Sequence, residues 1–321
     1  MRKTINKTHI EGKVYSHSLE IKTVQNESSK NYGKEYIGGK LEVATDEDNM
    51  NIVTVEFPYV TETTSAGKKN ATYTALKNII ESNKTVLTGE PMLVKIDSEL
   101  GVNDFYTNRN GEDVLVSAKR NSNGFVTIIN KLADEGVRST FEMDVLIIGT
   151  KLVEADEENN IPEDYMVLNG YVFGYKNAII PIDFHIRNKE GIRYFENADP
   201  SKASPMFTKV WGQQISKSIS EQRTEESAFG EPIVKEYKKN FKEWLVTGTS
   251  KSDAVYEIGD EKNGITAEEV NKAISDREFH LAEVKKQADE YRASREATTA
   301  SSEVPFAGSK VVTAAAGGFN F

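Results

Sequence analysis

The sequence predicts a mainly β protein with a smaller α component (all-β/α+β), built as two tandem Greek-key barrels, a long C-terminal helix and a flexible tail. Three observations support this prediction. A hairpin, a helix and further strands occupy the first half, a similar order of elements begins again after Ser139, and the most regular helical pattern comes last. Apolar alternation with period two marks the strands, and apolar spacings of three and four mark the helices.

The first hairpin lies in the stretch 36–60, where two alternating segments flank the acidic turn Asp46–Asn49. Such alternation on both sides of a turn is typical of a β-hairpin with one buried face. Gly38 and Gly39 open its first strand, at a place where barrel strands often bulge. The residues expected to face the core are Leu41, Val43, Thr45, Val53, Val55 and Phe57.

A helix and more strands complete the first predicted barrel. Apolar residues three and four apart follow the hairpin, at Tyr73, Leu76, Ile79 and Ile80. A strand over 92–96 comes next, and turn signals at 108–111 and 121–124 set off strands over 114–116 and 125–129. This order matches a five-stranded Greek-key barrel of the OB type.

The second half predicts another OB-like barrel. A strand over 141–148 and a hairpin formed by 165–175 and 178–186 begin it, and the loop 196–205 follows. Two helical stretches are then predicted, because apolar residues recur at three-four spacing. A last hairpin is expected from 244–246 and 255–258. The two helical stretches contain Phe207, Val210, Trp211 and Ile215, then Val234, Tyr237, Phe241 and Trp244.

The C-terminal helix has a complete start signal. Thr266 and Glu269 form a capping box, and Ile265 and Val270 form the matching hydrophobic staple. A narrow apolar stripe further along suits docking on its own domain or a short coiled coil. The predicted domains are 1–135 and 136–262, both OB-like, then the helix 263–296 and the tail 297–321. The stripe consists of Ile274, Leu281, Val284, Ala288 and Tyr291.

The tail is rich in small residues and contains two apolar points, which are candidates for docking a protein partner. A frayed terminus is the alternative. The candidate docking residues are Val304, Pro305, Phe306, Phe319 and Phe321.

Composition limits the function classes. The net charge is −10, yet 17 Lys and Arg nearly balance 18 Asp and Glu through Asp134, whereas 23 face 32 beyond it. A basic face is therefore more plausible in the first half, which we expect to carry most of any nucleic-acid affinity. The chain has no cysteine, no apolar run of the length of a membrane helix and no apolar core behind its basic start. We therefore expect a cytoplasmic protein.

Catalytic and metal-binding motifs are missing from the sequence. The stretch 33–41 fails the phosphate-loop pattern, because Leu41 stands where a hydroxyl residue would bind magnesium. The acidic turn fails the calcium-loop pattern at Met50. His9 and His17 would lie about 26 Å apart along one strand. We therefore expect a non-catalytic protein without cofactor or metal.

Aromatic residues interleaved with basic ones are the most informative feature. Proteins that bind single strands stack bases on aromatic faces and hold phosphates with cations. Packing inside a barrel is the alternative, since aromatic residues are common on strands. The candidate nucleic-acid-binding residues are Tyr32, Lys34, Tyr36, Lys40, Tyr59, Lys68, Lys69, Tyr106, Arg109, Lys119, Arg120, Tyr171, Phe173, Tyr175 and Lys176.

The stretch 33–60 and the helix after it resemble the central strands of bacterial and phage single-stranded DNA-binding proteins. The tail stretch 302–306 is similar to that family's partner-docking tip, an acidic run ending in a hydrophobic residue, Pro and Phe. The resemblance covers roughly residues 9–130 and this short stretch. Here the tail is barely acidic, Pro305–Phe306 is not terminal, and the second barrel is atypical of the short bacterial members.

The resemblance implies an OB fold and the non-catalytic binding and protection of single-stranded DNA in replication or recombination. It also implies partner proteins recruited through the tail, a possible homo-oligomer, no membrane association, and the host cytoplasm if a phage encodes the chain. Two other classes stay open: a phage virion or assembly protein, and a protein-interaction adaptor.

Overall fold

The computed structural model describes residues 4–156, 161–225, 233–250 and 264–301, without the side chains of 218–225, 233–240 and 295–301. The described chain is mainly β, as predicted, with eleven strands and three α-helices among these residues. The described residues form two compact units. The first takes its residues from Met1–Asn103 and Ser117–Glu278, and the second from Asp104–Val116 and Phe279–Phe321.

Five strands close the first barrel, in the order β1, β3, β4, β6, β5 and back to β1. The pairing of β4 with β6 is parallel, at Val55 opposite Asn121. Helix α1 lies between β4 and β5 in the chain, and the short strand β2 pairs with β3 outside the ring. This is the Greek-key order expected of an OB fold. The strands are β1 (Asn6–His17), β2 (Glu20–Thr23), β3 (Glu35–Ala44), β4 (Ile52–Thr61), β5 (Leu93–Arg109) and β6 (Glu112–Ile129).

The predicted hairpin and helix of the first barrel are confirmed. The apolar residues of β3 and β4 fill the core, and α1 (Ala71–Ser82) adds Tyr73, Leu76 and Ile79 to it. Asn70 caps α1 by accepting a hydrogen bond from the backbone N–H of Thr72. The glycine bulge is also confirmed, because Gly39 has φ +137° and lies against the backbone of Ser18.

One predicted turn is confirmed and another is wrong. Asn110 and Gly111 both have positive φ between β5 and β6, as an Asn-Gly hairpin turn requires. By contrast, residues 121–124 lie inside the continuous strand β6. Asn123 adopts φ +58° there, so the Asn-Gly pair marks a kink within a strand and not a chain reversal.

The second barrel repeats the topology of the first. Its strands close in the order β7, β8, β9, β11, β10 and back to β7, with β9 and β11 parallel. Helix α2 (Lys189–Ala198) occupies the chain position that α1 has in the first barrel. The strands are β7 (Ser139–Val153), β8 (Tyr165–Phe173), β9 (Ile179–Ile186), β10 (Met206–Glu225) and β11 (Ile233–Thr249).

Two predicted helical stretches of the second half are wrong, because both lie in strands, β10 and β11. In β10 Phe207 and Val210 have opposite parity and are both buried, in two different cores, so apolar residues recur on both faces of the strand at a spacing that mimics a helix. The helix that does exist, α2, covers part of the stretch taken as a loop and buries only Ile192 and Phe195. The expected strand 255–258 lies outside the described residues.

The first part of helix α3 (Ala267–Ser301) packs on the second barrel, which confirms docking on the chain itself. Ile265 and Ala273 share a small core with Phe173 and Phe207. The capping box is confirmed, since the Thr266 hydroxyl accepts from the Glu269 backbone N–H and the Glu269 carboxylate accepts from the Thr266 backbone N–H.

The two barrels lie in the same compact unit and are joined by backbone pairing. Strand β1 pairs antiparallel with β7, from Asn6 opposite Met143 to Ile10 opposite Ser139. The backbone N–H of Ile5 also donates to the buried carboxylate of Asp144 at 2.8 Å. A single eleven-stranded sheet therefore runs through both barrels.

Candidate nucleic-acid interface

A pair of tyrosines, Tyr36 and Tyr59, forms an accessible aromatic surface on the first barrel. Tyr36, the second residue of β3, pairs with Thr61, the last residue of β4, and this pairing brings its ring beside that of Tyr59. The ring centroids are 4.7 Å apart at an interplanar angle of 40°. Tyr59 is 46% exposed, so this tyrosine pair presents aromatic surface to a ligand.

The loop before β3 fixes a cation beside the tyrosine pair. The side-chain amide of Asn31 donates to the Tyr59 hydroxyl at 3.2 Å, and the Lys34 ammonium donates to the Asn31 side-chain oxygen at 3.2 Å. Tyr32, in the same loop, is exposed. Three of the predicted residues, Lys34, Tyr36 and Tyr59, therefore lie in one place, and Tyr32 belongs to the same loop as Lys34.

Two further predicted cations share one carboxylate. The Glu56 side chain on β4 accepts from Arg120 on β6 at 2.5 Å, and the Lys40 ammonium lies 3.3 Å from the other carboxylate oxygen. Glu56 is only partly exposed. Its negative charge offsets part of the positive charge that Lys40 and Arg120 would otherwise offer to phosphates.

The remaining predicted cations of the first unit are exposed. Lys68 closes a turn with Thr64, whose backbone N–H donates to the Lys68 carbonyl at 2.8 Å. Lys69 follows just before α1, and Lys119 lies on β6. Tyr106 and Arg109 belong to the second compact unit, where Tyr106 is half-buried and Arg109 is exposed.

The three alternating aromatics of the second half have different environments. Phe173 is 2% exposed and packs edge-on against Phe207, so it serves the core and offers no face to a base. Tyr171 is half-buried beside the same core. Tyr175 is exposed in the turn after β8, with the Lys176 ammonium 5.4 Å from its ring centroid. For Phe173, packing in the barrel is the correct alternative.

The predicted docking points Val304, Pro305, Phe306, Phe319 and Phe321 lie outside the described residues.

The exposed aromatics that the sequence analysis missed include Phe125 and Trp211. Phe125 on β6 is 75% exposed, and Trp211 on β10 is 41% exposed. The alternation of Phe125 with buried Val126 could have identified the first, because the two must face opposite sides of a strand. Trp211 carried no such signal, since its segment matched a helix.

Two other features concern possible functions. Among the residues that the structure describes, no group of three or more His, Asp and Glu side chains is arranged to hold a metal ion. In the same part of the chain, no helix combines the length and the apolar character needed to cross a membrane.

The chain is similar in structure to a solved protein and in sequence to a family model. A deletion mutant of the single-stranded DNA binding protein from Thermus aquaticus has a similar solved structure, with 9% identity, a TM-score of 0.45, and coverage of 82% of this chain and 100% of that chain. No curated protein matches the chain in sequence. The family model described as YorF matches residues 4–287, and the chain belongs to the YorF family.

Proposed function

We propose that this protein binds single-stranded DNA without catalysis and with little sequence preference, and protects it during replication or recombination. The tyrosine pair, in which Tyr59 is exposed and Tyr36 is half-buried, with Lys34 held beside it, is the observation that carries the proposal. Every base has a flat face, so stacking on such rings tolerates any sequence. A lysine at the edge of the rings is placed for the phosphate that follows a stacked base.

Two arguments favour single-stranded DNA over duplex DNA as the ligand of the tyrosine pair. Bases in a duplex are already stacked on each other, and their faces are closed to an external ring. The pair also lies on β3 and β4, the strands whose outer face binds oligonucleotides in OB folds. Recruitment of replication or recombination proteins through the tail, and a homo-oligomer, stay predictions.

A titration with dye-labelled oligo-dT, followed by fluorescence anisotropy, tests the proposal. Replacing both tyrosines, Tyr36→Ala with Tyr59→Ala, should weaken binding at least tenfold, because each stacked base contributes about 1–3 kcal/mol and about 1.4 kcal/mol is tenfold. Affinity should fall as salt rises, since bound phosphates release counterions.

Phe279→Ala is the matched control, because Phe279 is also an exposed aromatic but lies on α3 in the second unit. It should leave binding unchanged. Absence of binding at low salt, or equal affinity for the double variant and the native chain, would refute the proposal.

A further inference from the structure

A cleft between the two barrels has an exposed aromatic residue on each wall. Its volume is about 850 Å³. Phe125 contributes from β6 of the first barrel and Trp211 from β10 of the second. Large apolar side chains so exposed on two neighbouring elements indicate an interaction surface.

The backbone places Phe125 outside the barrel. Asn123 has φ +58°, and Gly124 lies so close to the core that a Cβ there would meet Ile96 at 2.6 Å. This kink lets β6 press against the core at Gly124, while Phe125 points outward and Val126 is buried.

One side of the Trp211 ring packs against Gly248. Its ring lies directly over Gly248 on β11, where a Cβ would meet the indole at 2.5 Å. Only a glycine leaves room for the ring at this position. The bulge after Trp211 turns the strand at the same point. The indole is therefore backed by the sheet and partly open to the cleft, as a stacking platform requires.

The cleft continues towards the tyrosine pair. Asn123 and Phe125 also line a smaller groove of about 170 Å³, whose other wall includes Pro58 and Tyr59. Phe125 thus lies on the way from Tyr59 to Trp211, and the aromatic surface extends from the face of the first barrel into the second.

We infer that a single strand bound at the tyrosine pair crosses from the first barrel to the second through this cleft, with bases stacked on Phe125 and Trp211. This inference rests on the proposed function. It adds the path of the bound DNA and two DNA-binding residues, Phe125 and Trp211. It also proposes that the cleft holds the bases.

The charges that line the cleft indicate whether the bases or the phosphates of the bound DNA face it. Asp97, Glu99 and Glu142 line it, and Lys7 is the lining lysine. Asp97 is hydrogen-bonded to His9 at 2.7 Å, and Glu142 accepts from Lys209 at 2.8 Å. Carboxylates repel phosphates but accept hydrogen bonds from the N–H groups of bases, which in thymine is the ring N3–H. The bases therefore point inward and the phosphates outward.

Tryptophan fluorescence tests the route directly, because the chain has two tryptophans. Trp244 is half-buried, packs edge-on against Phe141 at 5.3 Å and does not line the cleft, whereas Trp211 does. Oligo-dT of about 30 nucleotides, long enough for two barrels at about 4–16 nucleotides each, should quench the native emission. The quenching should disappear in Trp211→Phe, in which Trp244 is the remaining tryptophan.

Affinity measured separately by anisotropy gives the second readout. Phe125→Ala should weaken binding of the long oligonucleotide about tenfold, and Phe279→Ala should have no effect. Binding without any quenching of Trp211, or an unchanged affinity of Phe125→Ala, would overturn the route while leaving the proposed function intact. Absence of binding by anisotropy in the native chain would instead overturn the proposed function.

Discussion

At the scale of single residues, Glu56 limits the positive charge of the candidate interface. It lies within ion-pair distance of both Lys40 and Arg120, two of the residues predicted to hold phosphates. Its removal would free both cations while leaving the aromatic surface unchanged.

We therefore predict that Glu56→Gln binds oligo-dT more tightly than the native chain at low salt and has a steeper salt dependence. Each additional phosphate neutralised on a single strand adds about 0.7 to the slope of log affinity against log salt. Anisotropy titrations over a series of salt concentrations measure this slope. Glu20→Gln, which removes the exposed partner of Lys22, is the control. An unchanged slope in Glu56→Gln would show that Lys40 and Arg120 do not contact phosphates.

The residue scale also shows what sequence can and cannot predict about the candidate site. Tyr32, Lys34, Tyr36 and Tyr59 were predicted from their neighbourhood in the chain. The hairpin register brings Tyr36 beside Tyr59, and Asn31 links Lys34 to them. For Phe173 the same pattern failed. Alternation shows that two residues share a face, but it does not show whether that face is the core or the surface.

At the scale of elements, both barrels close at a parallel pair of strands, and an Arg–Glu ion pair lies at each closure. In the first barrel Glu56 on β4 pairs with Arg120 on β6. In the second, Glu243 on β11 accepts from Arg187, just after β9, at 3.0 Å and lies 3.1 Å from the His185 ring. Glu243 is fully buried, so its charge depends on these two partners.

We predict that Glu243→Gln lowers the free energy of unfolding by about 3 kcal/mol, the lower end of the effect of breaking a buried ion pair, because Arg187 keeps some access to water. Chemical denaturation measures the change. Glu163→Gln removes an exposed partner of the same arginine and should cost no more than about 1 kcal/mol. Equal effects of the two substitutions would contradict the buried role of Glu243.

The same variant should alter the pH dependence of stability. Burial raises the pKa of Glu243, but the hydrogen bond from His185 and the charge of Arg187 outweigh it, so the pKa lies below its usual value of 4.5. The Glu243 carboxylate therefore binds a proton more readily in the unfolded chain than in the folded chain. This contribution to stability is therefore complete above pH 4.5 and is lost as the pH falls through the folded pKa. In Glu243→Gln that part of the acid-induced loss should be missing.

Elements with a simple period were predicted, and elements with an interrupted period were not. The hairpin of β3 and β4 and the hairpin of β8 and β9 alternate without a break in the residues that face the core. In β10 both faces are covered, because Phe207 packs in one core and Val210 in another, and the apolar residues therefore have the spacing of a helix. Local spacing cannot reveal that both faces of a strand are buried, because residues distant in the chain, such as Phe173 and Ile265, cover the second face.

At the scale of the whole molecule, the two barrels are connected by more than the chain. Strand β1 of the first barrel pairs with β7 of the second, and Asn51 accepts from the Ser216 backbone N–H at 2.6 Å. The sequence predicted two barrels but gave no indication of this pairing, since it joins residues that are about 130 positions apart. The predicted boundary near residue 135 stays a prediction about independent folding.

Asn6 is the buried centre of this connection. Its side-chain amide donates to the Leu100 carbonyl at 2.9 Å and to the Phe173 carbonyl at 3.4 Å, and its oxygen accepts from the Leu100 backbone N–H at 3.0 Å. It therefore joins β1, β5 and β8, which belong to both barrels. Replacing it by alanine would leave buried backbone groups without these partners, and each such group costs about 1–3 kcal/mol.

We predict that both barrels unfold in one transition and that Asn6→Ala lowers its midpoint without splitting it, while the exposed control Asn130→Ala changes little. Calorimetry detects both barrels, whereas tryptophan fluorescence detects the second alone, because Trp211 and Trp244 lie on β10 and β11. If the barrels form one cooperative unit, the two methods give the same midpoint in the native chain and in the variant. Two calorimetric transitions, with fluorescence following one of them, would show that the barrels unfold separately. In that case the DNA that crosses the cleft would connect two barrels able to move apart. The affinity for DNA would then depend on the fraction of time that the two barrels are aligned.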